Sequence, residues 1–253
     1  GAELTGDWLT YDETEKPAMR DEFLGVIIAR AIDNAGNISD PMEAQFLFET
    51  TPPSAQHVLQ PEGWTNGTVK IRVDAQDAFS GVRDIALPDE TMVKGSQAEF
   101  IVAENGSYIF HVRDNCENIL VYPAEVTGID LVPPEVVTVE TQRDWDATTN
   151  WAKVSATDDA SGVVAIGWAS SEDGEITWMD ADSTATFIFR DNATYYAFAR
   201  DAAGNISAPA EFKIDRIDKH SPIIDDVSWD KAWSKSKTIT VIAHDTESGL
   251  GQY

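Results

Sequence analysis

The chain has 253 residues, 42% of them hydrophobic, so it is long enough for two or three globular domains and too apolar to be intrinsically disordered. Its 18 Lys and Arg residues stand against 44 Asp and Glu residues, a formal charge of −26, which argues against nucleic acid and anionic membranes as partners and favours cations. The single cysteine excludes an intrachain disulfide, and no apolar run is long enough for direct membrane insertion.

Three short phrases recur along the chain with nearly the same spacing. A phrase of the form Asp-x-Ala-Gly-Asn begins at Asp33, Asp114 and Asp201, and its second copy departs from this pattern at two positions. The phrase Asp-x-x-Ser-Gly begins at Asp77, Asp158 and Asp245. A third phrase places an acid four residues before a proline, at Glu49, Asp130 and Asp218. Copies of the first two phrases lie 81 and 87 residues apart, which indicates tandem repeats.

The prolines of the third phrase divide the chain into four segments. Residues 1–53 carry the C-terminal half of a repeat, 54–134 and 135–222 are complete repeats, and 223–253 carry an N-terminal half. A window cut from a longer array is the simplest explanation. Completion of one chain's half-repeat by the next chain is the alternative, because half a sandwich leaves open edges and bare apolar faces.

Within each repeat the hydrophobic residues alternate, which is typical of strands rather than helices. One face of the stretch after the Trp64 turn carries Val69, Ile71 and Val73, and one face of a later stretch carries Tyr108 and Phe110. Dense turn signals separate many short strands. The sequence therefore predicts an all-β protein of tandem immunoglobulin-like antiparallel β-sandwiches, each of about seven strands, in an elongated array.

Strand order predicts that the three phrases meet. Asp-x-x-Ser-Gly ends strand B and lies in the B–C loop, whereas Asp-x-Ala-Gly-Asn follows the penultimate strand and lies in the F–G loop. Both loops share one pole of such a sandwich, where the incoming chain also enters. The expected groups are Glu49 with Asp77, Asp114 and Asn118; Asp130 with Asp158, Asp159, Asp201 and Asn205; and Asp218 with Asp245 and Glu247.

These phrases, in this order along the whole chain, resemble the bacterial immunoglobulin-like repeats of large cell-surface adhesins. In several such adhesins, calcium ions bound between repeats stiffen a rod. The resemblance implies calcium at Asp130, Asp158 and Asp201, and at Asp218 and Asp245. The first group departs from the pattern because its linker acid is Glu49 and because Glu117 replaces the glycine of the F–G phrase, so the resemblance implies calcium there less clearly.

Two interpretations of the acidic phrases remain open at this stage. Calcium prefers six to eight hard oxygen ligands, which carboxylates, amides and backbone carbonyls supply. Asp and Asn also close turns with their own side chains, and glycine accepts positive φ, so the phrases can be turns without any metal.

Tryptophan is abundant, and its positions suggest two roles. Trp64, Trp145 and Trp233 recur at one position of the repeat, which predicts packing in the core. Trp168 and Trp178 flank a hairpin of the third segment and are the candidates for a ligand-binding aromatic surface, with a half-buried sheet face as the alternative.

No catalytic constellation emerges, since the four histidines occupy different repeat positions and paired carboxylates are uninformative in an acidic chain. We expect a non-enzymatic stalk or adhesin segment that lies outside a bacterial cell and behaves as a monomeric rod, with calcium as the candidate cofactor beside the metal-free turn interpretation. The alternatives are a module that recognises a host glycan or protein and an accessory region of a secreted enzyme.

Overall fold

A computed structural model of the chain describes residues 22–252. All regular structure in this range is β-strand, which confirms the predicted all-β class, and no helix there could cross a membrane. Residues 1–21 of the predicted first partial repeat, and Tyr253, lie outside the described residues.

The first two strands, β1 (Phe23–Ala29) and β2 (Met42–Phe48), form an antiparallel hairpin that carries the first Asp-x-Ala-Gly-Asn phrase in its loop. The last two strands of the described chain, β17 (Ile223–Trp229) and β18 (Ile239–His244), form an antiparallel pair that precedes the last Asp-x-x-Ser-Gly phrase. The side chains of this second pair are mostly exposed, including its large hydrophobic residues.

Between these two pairs of strands lie two seven-stranded β-sandwiches with the same topology. The first consists of β3 (Ser54–Gln60), β4 (Val69–Gln76), β5 (Val82–Ala86), β6 (Met92–Lys94), β7 (Gln97–Val102), β8 (Gly106–Asp114) and β9 (Ile119–Val126). Its sheets have the orders β3-β4-β7 and β6-β5-β8-β9, and all neighbouring pairs are antiparallel.

The second sandwich consists of β10 (Glu135–Thr141), β11 (Asn150–Thr157), β12 (Val163–Ala169), β13 (Thr177–Asp180), β14 (Thr184–Phe189), β15 (Ala193–Asp201) and β16 (Ala210–Ile214). Its sheets have the orders β10-β11-β14 and β13-β12-β15-β16. In conventional lettering both sandwiches therefore pair strands A, B and E in one sheet and C′, C, F and G in the other. The predicted tandem sandwich architecture is confirmed.

The strand alternation seen in the sequence is the alternation of core and surface. Ile71 and Val73 on β4 and Val154 on β11 have no exposed surface, whereas their neighbours along each strand are more exposed. Full burial of such a side chain contributes about 1.5–3 kcal/mol. Because a strand presents every second residue to the same face, a one-residue shift in register would expose this whole set.

The same alternation carries an acid into the end of each core. On β8 the inward face holds Tyr108, Phe110 and Val112, and the next inward residue is Asp114, which has no exposed surface. On β15 the equivalent residue is Asp201, which is 1% exposed. The strand period therefore explains why these carboxylates are buried.

The described chain separates into two compact units. One contains the residues up to Glu62 together with Thr68–Thr127, and the other contains Gly63–Gly67 together with Gly128 onward. Within the second unit, the Gly63–Gly67 turn is held by a backbone hydrogen bond of 2.9 Å from Thr65 to Gly128 and by one of 3.2 Å from Asn66 to Ala203.

The prediction that the recurrent tryptophans pack in the core is wrong. Trp64 is 40% exposed, Trp145 is 41% exposed, and Trp233 is fully exposed. The indole of Trp145 lies 5.9 Å from the Arg216 guanidinium, which is a surface cation–π contact. Recurrence at one position reflects the shared turn at the end of strand A, and the turn holds these side chains outside the core.

Candidate functional site

The Asp-x-Ala-Gly-Asn phrase is a turn closed by its own first and last side chains. In each copy the backbone N–H of the asparagine donates to Oδ1 of the aspartate, at 2.7–2.8 Å, and the asparagine Nδ2 donates to Oδ2, also at 2.7–2.8 Å. The pairs are Asp33–Asn37, Asp114–Asn118 and Asp201–Asn205. Both aspartate oxygens are therefore engaged within the turn, as the turn interpretation requires.

The Asp-x-x-Ser-Gly phrase is a second turn that is equally regular. Oδ1 of the aspartate accepts hydrogen bonds from the N–H groups two and four residues later, the second of them at 2.6–2.7 Å. The residues involved are Asp77, Asp158 and Asp245. The glycine that donates the second bond has φ between 79° and 81° in all three copies, a conformation in which a side chain would be strained.

The linker acid joins these two turns. One of its carboxylate oxygens accepts the backbone N–H of the serine in the Asp-x-x-Ser-Gly phrase, at 3.0–3.1 Å, in the pairs Glu49–Ser80, Asp130–Ser161 and Asp218–Ser248. Its backbone carbonyl accepts Nδ2 of the asparagine from the F–G turn in the pairs Glu49–Asn118 and Asp130–Asn205. The linker, the B–C loop and the F–G loop are thus tied together.

Carboxylate oxygens converge where the three phrases meet. In one group, oxygens of Asp130, Asp158 and Asp201 lie within 4.8 Å of one another; in a second, those of Glu49, Asp77 and Asp114 do the same. None of the ion pairs formed by the described residues involves these six carboxylates. Each group therefore concentrates negative charge on oxygen donors, the ligand type that calcium prefers.

The third group differs from its predicted composition. Ligand atoms of Asp218, His220 and Glu247 lie within 4.8 Å of one another, and Asp245 is not among them. His220 Nδ1 is 3.0 Å from Glu247 Oε1, so sequence reasoning that dismissed the histidines missed this contact. In the sequence, the signal for the contact between His220 and Glu247 is the position of His220 two residues after the linker acid Asp218.

Two further predicted residues occupy other roles. Asp159 is exposed and does not belong to the three converging groups of the described chain. Asn205 serves as a hydrogen-bond donor to Asp201 and to the Asp130 carbonyl, so its amide fixes the turn and the linker.

Hydrogen bonding lowers the pKa of the two aspartates among the linker acids, Asp130 and Asp218. Burial acts to raise the pKa of Asp130, but hydrogen bonds from Ser161 and from the Val132 N–H outweigh burial, and the pKa lies below its ordinary value of 3.8. Hydrogen bonds from Ser248 and from the His220 N–H lower the pKa of Asp218 to about 2. Both groups are therefore anionic at neutral pH.

Acid is expected to weaken the second sandwich, in part through Asp130. Because the folded-state pKa of Asp130 lies below 3.8, its stabilising contribution is complete above that value and is lost as the pH falls below it. Thermal melting of metal-free protein between about pH 7 and about pH 2.5 measures the effect. Asp130→Asn cannot titrate and should show a shallower acid loss, whereas an equal loss in both proteins would contradict the role assigned to this carboxyl.

The two candidate ligand-binding tryptophans do not share a face. Trp168 pairs with Thr177 across β12 and β13, and its ring packs edge-on against Phe189 and Tyr195 at centroid distances of 5.0 and 5.4 Å. Trp178 pairs with Gly167 and so lies on the opposite face.

The indole of Trp178 is covered on its own face of the sheet. The Arg200 guanidinium stacks over it at 5.0 Å. A Cβ at Gly167 would come within 2.8 Å of the Trp178 ring, so the missing side chain lets the indole approach the sheet. The rings of Trp168 and Trp178 therefore do not form one aromatic surface together.

Strand order and loop placement define a pair of non-identical sandwiches of the immunoglobulin and fibronectin type III kind. No protein-family model matches the sequence, and no curated protein matches it. Among solved structures, the chain is similar to the fibronectin(III)-like modules of Clostridium thermocellum CbhA, with 15% identity and a TM-score of 0.33 over 65% of this chain and 95% of that one. A superposition with so low a score carries no argument, so the fold assignment rests on the strands themselves.

Proposed function

We propose that this chain is a non-enzymatic segment of a bacterial extracellular or cell-surface protein, in which sandwich repeats act as a stalk or adhesin region. We further propose that divalent cations, calcium foremost, bind where the linker meets the B–C and F–G loops. The observation that carries this proposal is the recurrent convergence of a linker acid with one acid from each loop, as at Asp130, Asp158 and Asp201.

The spacing of the carboxylate oxygens in these groups suits calcium. Two oxygens on opposite sides of a calcium ion, each about 2.3–2.6 Å from it, are about 4.6–5.2 Å apart. The carboxylate oxygens of each group lie within 4.8 Å of one another, which a small adjustment brings into that shell. Asp130, Asp158 and Asp201 would hold the ion, and its charge would neutralise a group that no basic side chain of the described residues pairs with.

Such an ion would have a mechanical consequence. The linker acid is already tied to the B–C loop through the Ser161 N–H and to the F–G loop through Asn205. A cation shared by all three segments would strengthen these ties and restrict bending of the linker where it enters the sandwich. A spacer that must transmit force benefits from such a restriction, which is why we favour a structural role over a catalytic one.

Calcium is expected to stabilise the chain. For a dissociation constant typical of extracellular calcium modules, about 10⁻⁴–10⁻³ M, about 10 mM calcium should raise the melting temperature by about 6 °C or more relative to protein in chelator. Calorimetry of the intact chain measures the shift. Potassium chloride at matched ionic strength is the control, because general screening would act in both salts. Equal melting temperatures in calcium and chelator would remove the metal from the proposal.

A recognition function remains the alternative, with a host glycan or protein as the ligand. The positions of Trp168 and Trp178 provide less support for it, because the half-buried Trp168 ring packs against the core and the Trp178 ring lies beneath Arg200. Specific binding of the intact chain on a glycan array or in a host-protein pull-down would favour recognition over a spacer. If the chain is instead an accessory region of a secreted enzyme, a catalytic domain elsewhere in the same polypeptide would identify it as such.

A further inference from the structure

The linker acids of the three groups differ in one methylene, and this changes their hydrogen bonding. Asp130 Oδ1 accepts the Val132 N–H at 3.0 Å, and Asp218 Oδ1 accepts the His220 N–H at 2.9 Å. In both, the short aspartate side chain folds back on the residue two positions later, while its second oxygen reaches the serine of the B–C loop. Both oxygens of each aspartate are therefore satisfied by the chain itself.

Glu49 cannot reproduce this arrangement. Its Oε2 accepts the Ser80 N–H at 3.1 Å, but its Oε1 is buried and has no hydrogen-bond partner among the described residues. The residue as a whole is only 6% exposed. The longer side chain reaches the B–C loop but is not placed to accept the N–H two residues later.

A second unsatisfied atom belongs to Ser80, the residue whose backbone N–H donates to Glu49. The Ser80 hydroxyl oxygen is also buried and without a partner, whereas the equivalent Ser161 hydroxyl accepts the Ala203 N–H at 3.4 Å. Glu49 is therefore adjacent to a free hydroxyl as well as to Asp77 and Asp114, the carboxylates with which its own converges within 4.8 Å. Asp114 has no exposed surface.

A buried carboxyl oxygen without a hydrogen-bond partner is unfavourable unless something compensates it. Another carboxylate cannot do so while charged, and none of the ion pairs among residues 22–252 reaches this group. A hard divalent cation compensates Glu49, Asp77 and Asp114 together, and the Ser80 hydroxyl can offer a further oxygen.

We infer that the group of Glu49, Asp77, Asp114 and the Ser80 hydroxyl is the tightest calcium site of the chain, and that the Asp130 group binds calcium more weakly. The inference rests on the proposed cation binding and reverses the ranking that the family resemblance implies. Its physical basis lies in the linker acids, because the loop acids accept the same hydrogen bonds in both groups. An ion at the first group satisfies Glu49 Oε1, which otherwise has no partner, whereas an ion at the second must compete with the hydrogen bonds that both oxygens of Asp130 already accept.

Hydrogen–deuterium exchange of the intact chain, titrated with calcium chloride after removal of divalent ions, distinguishes the two sites. The loop 77–81 should become protected at a calcium concentration at least about tenfold lower than the loop 158–162. Glu49→Gln should abolish protection of the first loop and leave the second unchanged. Asp130→Asn is the matched control and should do the reverse.

A conservative variant separates the ligand role from folding. Glu49→Asp restores the side chain found at the other two linkers, so we expect the first loop to need about tenfold more calcium, close to the second loop, in a protein that folds at least as well. If both loops of the wild type become protected at the same calcium concentration, or the loop 158–162 at a lower one, the inference is overturned while calcium binding stands. Absence of protection in both loops overturns the calcium proposal itself.

Discussion

Replacing Asp201 by alanine is expected to destabilise the second sandwich by about 3 kcal/mol in the absence of metal. The side chain is 1% exposed and accepts the backbone N–H and the Nδ2 of Asn205, both at 2.7 Å. Its removal takes away the acceptor of the Asn205 backbone N–H and one of the acceptors of the Asn205 Nδ2 in a half-buried turn, and it also loosens Asn205 from the Asp130 carbonyl. Relief of repulsion from Asp130 and Asp158 offsets only part of this loss.

Chemical denaturation in chelator measures the effect, and the chain contains its own control. Asp33 makes the same two hydrogen bonds with Asn37, at 2.8 Å each, but it is exposed. Because water can replace the lost acceptor there, Asp33→Ala should change the free energy of unfolding far less. If the two substitutions lower the free energy of unfolding equally, burial would not be the reason why Asp201 contributes to stability.

Replacing Trp168 by alanine is expected to cost about 3 kcal/mol of stability, the lower end of the scale for removing a large aromatic side chain from a core, because the indole is half-buried against the core. The indole packs against Phe189 and Tyr195, which themselves contact Phe212 in the same core. Its truncation leaves a cavity that these rings cannot fill without leaving their rotamers. Thermal and chemical unfolding of the chain measure the loss.

Trp178→Ala is the matched comparison, because it removes the same side chain from the other face of the sheet. It deletes a contact with the Arg200 guanidinium that is worth about 0.5–1 kcal/mol at an exposed site. A Trp168 variant that keeps full stability but loses ligand binding would contradict the core role and revive the recognition function.

The repeat, the strands and the loops of this protein could be predicted from sequence, because each depends on residues close together in the chain. Alternation along β8 predicted the buried face of Tyr108 and Phe110, and it also explains the burial of Asp114 at the strand end. Glycine at a fixed place after Asp77 and Asp158 signalled turns that require positive φ. With the known loop order of a sandwich, these local signals predicted that Glu49, Asp77 and Asp114 meet and that Asp130, Asp158 and Asp201 meet, but they also placed Asp159 and Asp245 in groups to which these residues do not belong.

Other features of the structure depend on contacts between residues that are distant in the chain, and the sequence pattern does not predict them. The pairing of Asn118 with the Glu49 carbonyl joins positions 69 residues apart, and no local period encodes it. The exposure of Trp64 and Trp145, and the opposite faces of Trp168 and Trp178, depend on how turns and strands pack. The contact of His220 with Glu247 likewise arises only when the linker lies against the B–C loop.

The sequence by itself determined that an acid precedes each linker proline and that two acidic turns follow in each of the two complete repeats. Only the tertiary structure decided which carboxylate oxygens find donors. Asp130 satisfies both of its oxygens with backbone N–H groups, whereas Glu49, one methylene longer, leaves Oε1 buried and unpaired. The physical reason is that the satisfaction of a buried carboxyl group depends on where the donors of other folded segments lie relative to its oxygens, and the spacing of residues along the chain does not specify those positions.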